Sequence, residues 1–386
     1  MKVFILGSGA TGGVLAQLLH RRGHKVWCGD RDAKRGRAFL GLNISCVPAN
    51  ARKRLSLVRA ARGCDLFVNT VPAAFNEAAV EAALSLGVRY LDMASHLEHD
   101  PFKAEQLRFH EPFKRLGRLA LINAGAAPGL TNVLVALAAD SLDEVTRTQI
   151  RLFENTESNE PISTWSAEVA FDEATSKPRV YRQGRFRLVR RFGEAEWFRF
   201  PPPIGEVRVV LVAQDEVATL PHFIRMTDLD VKAGGNDIDR LRRWYRQGKL
   251  WPSAGKSEQR FPPTVNPAQI AGLMRQRTLH DACFAVAVSV VGKAGSIWCE
   301  HKRSCVFTSL RQLRHKRLLT TPIAYAAAEC AAAFIRHWPK RVAGVLPPEA
   351  LPRTVRQRIV ADLRRKGFEF HAQTRRFKGK QSAEAH

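Results

Sequence analysis

The sequence predicts an α/β protein: a Rossmann-type doubly wound parallel sheet, followed by a second, α+β domain built on a largely antiparallel sheet. Three observations carry this. Residues 1–130 alternate short apolar strands with amphipathic helices, the pattern of a parallel sheet covered on both faces. The first of these strands runs straight into the glycines of GSGATGG. After Pro128 the character changes to segments in which apolar and polar residues alternate, the period of half-buried strands.

The elements follow in order. KVFIL (2–6) is a continuous apolar strand, and GGVLAQLLHRRG has its apolar residues at helical spacing and stops at Gly23. HKVWCGD is the next strand and ends on Asp30. CDLFVNTVPA is another buried strand, cut off by Pro72; NEAAVEAALSLG is a helix, VRYLDMAS a strand, FKAEQLRFHEPFKRLG an amphipathic helix and LALINAG a further strand. These make up a dinucleotide-binding domain over 1–130. In the second domain, 131–319, TNVLVALAADSL is a helix, EVTRTQIRLFE and EVRVVLVA are strands, and RVYRQGRFRLV is a hairpin turning near Gly184. ACFAVAVSVVGKAGSIWCEHKRSCVF is a second hairpin about Gly292 and Gly295. Two helices lie within: WSAEVAFDEA, starting at Ser163 or Thr164, and DIDRLRRWYRQGK. Residues 320–371 are helical again with one short strand, and the basic segment 372–386 is expected to be a disordered tail.

With 386 residues, 45% of them apolar, the chain can bury a sizeable core. No apolar run reaches the roughly 18 residues of a membrane helix. No separate leader precedes the first strand, so a soluble cytoplasmic protein is expected. Seven cysteines without a C-x-x-C pair argue against a disulfide framework and a zinc ribbon. Cys299, His301 and Cys305 are close in sequence but read as an exposed hairpin strand, and no metal is expected. A net charge of +25 draws anionic partners: a phosphate-bearing cofactor, carboxylate substrates or nucleic acid. No nucleic-acid module is recognisable, so charge is the only support for that partner.

Gly7, Gly9 and Gly12 form G-x-G-x-x-G between a strand and a helix. Gly7 permits the tight turn, Gly9 lets a pyrophosphate approach the backbone, and Gly12 lets the helix pack close to the strand. The pyrophosphate would lie on the helix start at Ala10 and Thr11, where free N–H groups and the dipole favour an anion. Asp30, 18 residues past Gly12, is placed to grip a ribose hydroxyl. Asp30 favours NAD, whereas Arg31, Lys34 and Arg35 can hold a 2′-phosphate. NAD or NADP is therefore the expected cofactor, with the balance towards NAD.

Three segments together, CDLFVNTVPAAFNEAAVEAALSLGVRYLDMAS, ALINAGAAPGLTNVLVA and STWSAEVAFDEATSKPRVYRQGRF, resemble the saccharopine dehydrogenase-like family. The closing TTPIAYAAAECAAAFIRH resembles that family's return to the nucleotide domain. The resemblance implies catalysis in a cleft between the two domains, with NAD(P)-linked hydride transfer at a C–N bond of an amino-acid-like substrate: an opine, lysine or a polyamine precursor. It implies nucleotide contacts from Asn69, Thr70, Val71 and Pro72, from Asp92 to Ser95, and from Asn123 to Gly129, Gly125 included. Saccharopine reductases tend to carry an acid just before the Pro-Gly; here that position is Ala127, which speaks against saccharopine itself. By analogy of fold, a homodimer is expected.

Individual residues carry two readings each. Asp92 and His96, at a strand end, are candidate bases for the amine proton; otherwise Asp92 caps a helix or pairs with an arginine, and His96 is merely exposed. Asn69 and Asn123 contact the nicotinamide ribose or carboxamide, or bond their own turns. Pro128 and Gly129 touch substrate or simply open a helix. Glu168 and Asp172 share a helix face and bind a substrate ammonium, or are solvated. Arg225 and Lys232 are candidates to hold a substrate carboxylate. Two other classes remain open on sequence alone: an NAD(P)-binding regulator or scaffold without catalysis, and a basic nucleic-acid-associated protein.

Overall fold

Apolar strands without polar alternation must be buried on both faces, and the first sheet is built from them. β1 (Lys2–Leu6), β2 (Lys25–Asp30), β3 (Ser45–Pro48), β4 (Leu66–Asn69), β5 (Arg89–Leu91) and β6 (Leu119–Leu121) pair in parallel in the order β3-β2-β1-β4-β5-β6. Val3 and Ile5 point into one fully buried layer, and Phe4 and Leu6 into the other. Chain order reverses between β1 and β4, so the carboxyl ends of these two strands flank the crevice where ligands bind in such sheets. The computed structural model describes residues 1–40, 43–163, 166–248 and 264–377.

The helix Leu130–Ala139 carries the chain to the second sheet. Its strands are β7 (Glu144–Ser158), β8 (Arg179–Arg182), β9 (Arg185–Leu188), β10 (Glu196–Arg199), β11 (Glu206–Leu211), β12 (Asp228–Gly234), β13 (Leu279–Ala294) and β14 (Ile297–Val306). After β14, β15 (Gly344–Leu346) joins the first sheet beside β6, and β16 (Glu369–Phe377) closes the second sheet, ordered β10-β11-β12-β7-β13-β14-β16. The sheet is mixed, because β12 and β7 run parallel while the other pairs are antiparallel. The helix Pro322–Arg336 packs on the helix Ala10–Arg21, and Arg22 donates to Glu329 at 2.8 Å across that contact.

The structure corrects several expectations. The strand β3 and the helix Arg54–Ala60 are additions, since a four-residue strand of Ser, Cys, Val and Pro has too few positions to show a period. The helix expected from Phe102 onwards is a 3₁₀ turn, Glu105–Phe109, followed by a short helix, His110–Arg115. Pro112 lacks an N–H and is accommodated only in a helix's first turn, which places the start of that helix. The helix expected from Ser163 begins at Ala167; Ser163 bridges to Thr264, and Thr164 lies outside the described residues.

The long hairpin turns at Gly295 alone. Gly292 lies within β13, where a Cβ would come 1.9 Å from the Glu144 carbonyl oxygen. The segment expected to be disordered from Ala372 is strand through Phe377, paired with β14 from Trp298 to Val306; residues 378–386 lie outside the described residues. An unpaired β14 edge offers backbone donors and acceptors that this basic segment satisfies. Because β16 covers that edge, Cys299 and Cys305 are buried rather than exposed.

Candidate functional site between the two sheets

The glycine loop sits at the carboxyl end of β1. Gly7 has φ +93°, and its N–H donates to the Gly29 carbonyl oxygen at 2.8 Å. A Cβ at Gly12 would lie 2.1 Å from the Gly7 carbonyl oxygen, whereas one at Gly9 would have nothing within 4 Å. Gly7 thus makes the tight turn and Gly12 the close packing, with open space over Gly9. The helix Ala10–Arg21 begins there without a side-chain cap and without an acid in its first turn. Its first N–H groups and dipole are therefore available to an anion. A dinucleotide's pyrophosphate fits this cradle.

Asp30 stands beside the loop. Its Oδ2 accepts from the Ser8 N–H at 2.9 Å and the Ser8 hydroxyl at 2.8 Å, and its Oδ1 from the Asp32 N–H at 3.0 Å. These bonds hold the carboxylate still at the end of β2, with lone pairs left for a ribose hydroxyl. Arg31 and Lys34 are exposed nearby, and the side chain of Arg35 lies outside the described residues.

At the end of β4, the Thr70 hydroxyl bonds the carbonyl oxygens of Leu6 and Gly7 at 2.9 and 3.0 Å, tying the rim to the glycine loop. Asn69 is buried and turned inward: its amide donates to Asn76 at 2.8 Å, and its oxygen accepts from the Val71 N–H. Pro72 caps the 3₁₀ turn Ala73–Phe75. At the ends of β5 and β6, Asn123 adopts φ +57° and exchanges hydrogen bonds with Ser95 at 2.9–3.0 Å. Asp92 enforces that turn. Only 1% exposed, it accepts from the Asn123 N–H at 2.9 Å and the Gln106 amide at 3.0 Å. Burial pushes its carboxyl up to about 7.

Gly125 and Gly129 pack backbone to backbone; a Cβ at Gly129 would come 2.0 Å from the Gly125 oxygen. Pro128 is buried in the same turn, its carbonyl oxygen accepting from the Gly125 N–H at 3.1 Å. These two residues shape the hinge into the helix Leu130–Ala139.

The second sheet brings its own groups to this rim. Asp215 Oδ2 accepts from the Ser95 N–H at 2.9 Å, joining the two halves. Beside Asp215 lie Arg179 from β8 and Glu173 from the helix Ala167–Thr175, and Glu154 from β7 lies beside Glu173. Gln214 hydrogen-bonds Glu173. Arg179 Nε is buried without a hydrogen-bond partner. Burial, reinforced by neighbouring carboxylates, raises the Glu173 carboxyl well above its ordinary range and that of Glu154 to about 8. Burial also raises Asp215, although Arg179 and the Ser95 N–H favour its anion.

None of these four groups was singled out as a site residue from sequence. Glu173 carried a usable signal: it lies three positions from buried Ala170 on the helix, whereas Asp172 is exposed. The side chain of Glu168 lies outside the described residues. Lys232 is buried and already paired with Glu196 at 2.6 Å, so it is spoken for. Arg225 is exposed on the turn before β12. His96, 7% exposed, is not solvated; it faces Glu77, Glu98 and Glu105 rather than the Asp215 cluster.

Residues 3–121 match the model of the saccharopine dehydrogenase NADP binding domain. The chain is 27% identical over 163 residues to the carboxyaminopropylagmatine dehydrogenase of Synechocystis sp., covering 41% of each chain. It is 25% identical over 192 residues to the carboxynorspermidine synthase of Vibrio cholerae, covering 45% of this chain and 44% of that one. The chain thus spans less than half the length of these curated relatives. Its fold resembles that of the apo saccharopine dehydrogenase (L-Glu forming) of Saccharomyces cerevisiae, with a TM-score of 0.68 at 10% identity, over 97% of this chain and 99% of that one. The likeness covers both sheets. No helix among the described residues is long and apolar enough to cross a membrane.

Proposed function

We propose that this chain is an NAD(P)-dependent oxidoreductase that transfers a hydride at the C–N bond of an amino-acid-like substrate. The observation that carries the reading is one arrangement: an open glycine cradle at the β1 end and, at the second sheet, a partly buried group of three carboxylates and one arginine that Asp215 ties to Ser95 on the first sheet's rim. The family model that matches the first sheet and the two curated relatives, named for carboxyaminopropylagmatine and carboxynorspermidine, support it.

The N–H groups of Ala10, Thr11 and Gly12 would hold the pyrophosphate, and Asp30 the adenosine ribose. Asp30 favours an unphosphorylated ribose, while exposed Arg31 and Lys34 can serve a 2′-phosphate, so NAD remains the balance of this reading. When bound, the nicotinamide supplies or accepts the hydride. Arg179, with its unpartnered Nε, is placed to receive a substrate carboxylate, and Asp215 to face the substrate nitrogen. In the oxidative direction an ammonium must lose a proton before hydride departs. Burial raises both Glu173 and Asp215, but neighbouring carboxylates reinforce the rise at Glu173 whereas Arg179 and the Ser95 N–H oppose it at Asp215, so the two carboxyls sit in different environments, as acid–base work requires. Asp92 acts by positioning: its oxygens hold Asn123 and Gln106, leaving the proton to the cleft.

The seven cysteines are all free thiols, in keeping with a reducing cytoplasm. The outer edge of β10, which carries exposed Trp197, is the surface for the second copy of a homodimer.

The test follows nicotinamide absorbance with a panel of amino acids, N-carboxyalkyl amino acids and carboxyalkyl polyamines. Turnover of at least one is expected, with Glu173→Gln lowering kcat by about 10²–10⁴-fold while cofactor affinity holds. Cofactor binding without turnover of any panel member would overturn the catalytic reading.

A further inference from the structure

We propose that Glu77, His96 and Glu105 form a binding site for a divalent transition metal of the Zn²⁺ class, which clamps the loop after β5 to the helix Asn76–Leu86. The three residues come from three elements: Glu77 from the first turn of that helix, His96 from the loop, and Glu105 from the 3₁₀ turn Glu105–Phe109. His96 Nδ1 lies 3.4 Å from Glu105 Oε2 and 3.9 Å from Glu77 Oε1, and all three atoms fall within 4.8 Å of one another. A tetrahedral ion about 2.1 Å from each ligand holds ligand atoms about 3.4 Å apart. One separation already has that value, the second needs a few tenths of an ångström, and the third a carboxylate rotation.

A second observation points to a ligand. His96 is buried, and its Nδ1 has no hydrogen-bond partner although it is aimed between the two carboxylates. Leaving such a nitrogen buried and unsatisfied is unfavourable, and a metal ion satisfies it. On the other side of the ring, Nε2 lies 3.2 Å from Glu98 Oε2. That is the carboxylate–histidine–metal arrangement, which orients the ring and raises its basicity. The His99 backbone N–H donates to Glu105 Oε1 at 2.6 Å and fixes the third ligand.

Charge agrees with this assignment. Glu77, Glu98 and Glu105 face the histidine, and the only guanidinium placed on them among the described residues is Arg108, half exposed and 2.7 Å from Glu77 Oε1, which it would share with the ion or release as the carboxylate rotates. Three negative charges against one positive leave room for a dication. One imidazole and two carboxylates suit zinc and its first-row neighbours better than magnesium, which prefers all-oxygen sets. A fourth position remains for water or for His99, which is exposed at the rim with its Nδ1 3.1 Å from Glu105. The site lies next to Ser95 in sequence but does not depend on the hydride-transfer reading.

The test uses the full chain, stripped with a chelator and dialysed against Zn²⁺, with metal measured by elemental analysis. About one Zn²⁺ per chain is expected, with affinity reduced at least tenfold in His96→Asn and in Glu105→Gln, and less in Glu98→Gln. Absence of stoichiometric metal, or metal retained equally by these variants, overturns the proposal. Because a variant can fail to fold, Co²⁺ is added to the wild-type chain as well. A nitrogen–oxygen d–d spectrum supports the site, whereas thiolate charge-transfer bands, which would mark the cysteines, or no spectrum at all count against it.

Discussion

Replacing Gly9 by Asp tests the cofactor seat without disturbing the fold. Gly9 has φ −73°, a value any residue adopts, and a Cβ there meets nothing within 4 Å. The new carboxylate would stand in the space reserved for the pyrophosphate, at the mouth of a helix with no acid in its first turn. Two like charges about 4 Å apart at an effective dielectric constant near 20 repel by about 4 kcal/mol. That corresponds to roughly a thousandfold loss of affinity. The assay is a titration with NADH and NADPH followed by nicotinamide fluorescence, alongside a thermal melt. Gly9→Asp should melt with the wild type and fail to bind either nucleotide at concentrations that saturate the parent. Gly9→Ala, which fills space without adding charge, should lose less. Unchanged affinity in Gly9→Asp with a normal melt would refute the assignment of this loop, and the tighter of the two nucleotides reports whether Asp30 or its basic neighbours prevail.

Two further outcomes are expected. Arg179→Met removes a charge-assisted pair of about 1.5–3 kcal/mol. It should raise KM for a carboxylate-bearing substrate about 10–100-fold and leave a decarboxylated analogue nearly unaffected; equal loss on both would show that Arg179 does not read the carboxylate. Stability contributed by the buried carboxyls should fall as pH rises from about 4.5 to about 8, because Asp92, Glu216 and Glu349 hold protons up to about 7, and Glu154 up to about 8, in the folded state. The unfolded chain has released those protons near pH 4, so the stability they contribute is present at low pH and is lost as pH climbs through the folded values. Glu154→Gln should flatten the slope by up to about 1.4 kcal/mol per pH unit. A Tm that is level or rising across this window would contradict the buried, protonated carboxyls.

Much of the nucleotide half is legible in the chain because its information is local. A continuous apolar strand, three glycines at set spacing and a helical period each concern neighbouring residues, and the backbone carries them out wherever they fold: Gly7 takes its positive φ, Gly12 its close packing, and Gly9 its open face. The hairpin at Gln183 and Gly184 is of the same kind, with both residues at positive φ. The cleft is different. Whether a carboxylate is a ligand, a prop or a solvated charge depends on what other segments bring to it. Asp92 becomes a prop because Gln106 and Asn123 reach its two oxygens, and Lys232 is withdrawn because Glu196 lies across from it. Glu173, rather than the neighbouring Asp172, turns towards Asp215 because Ala170, three positions before it, is drawn into the core. By itself the sequence determined the sheet that seats a dinucleotide and the change of architecture after Pro128. Only the tertiary structure decided which charges meet, since burial and pairing are set by residues far apart in sequence, 120 positions for Ser95 and Asp215.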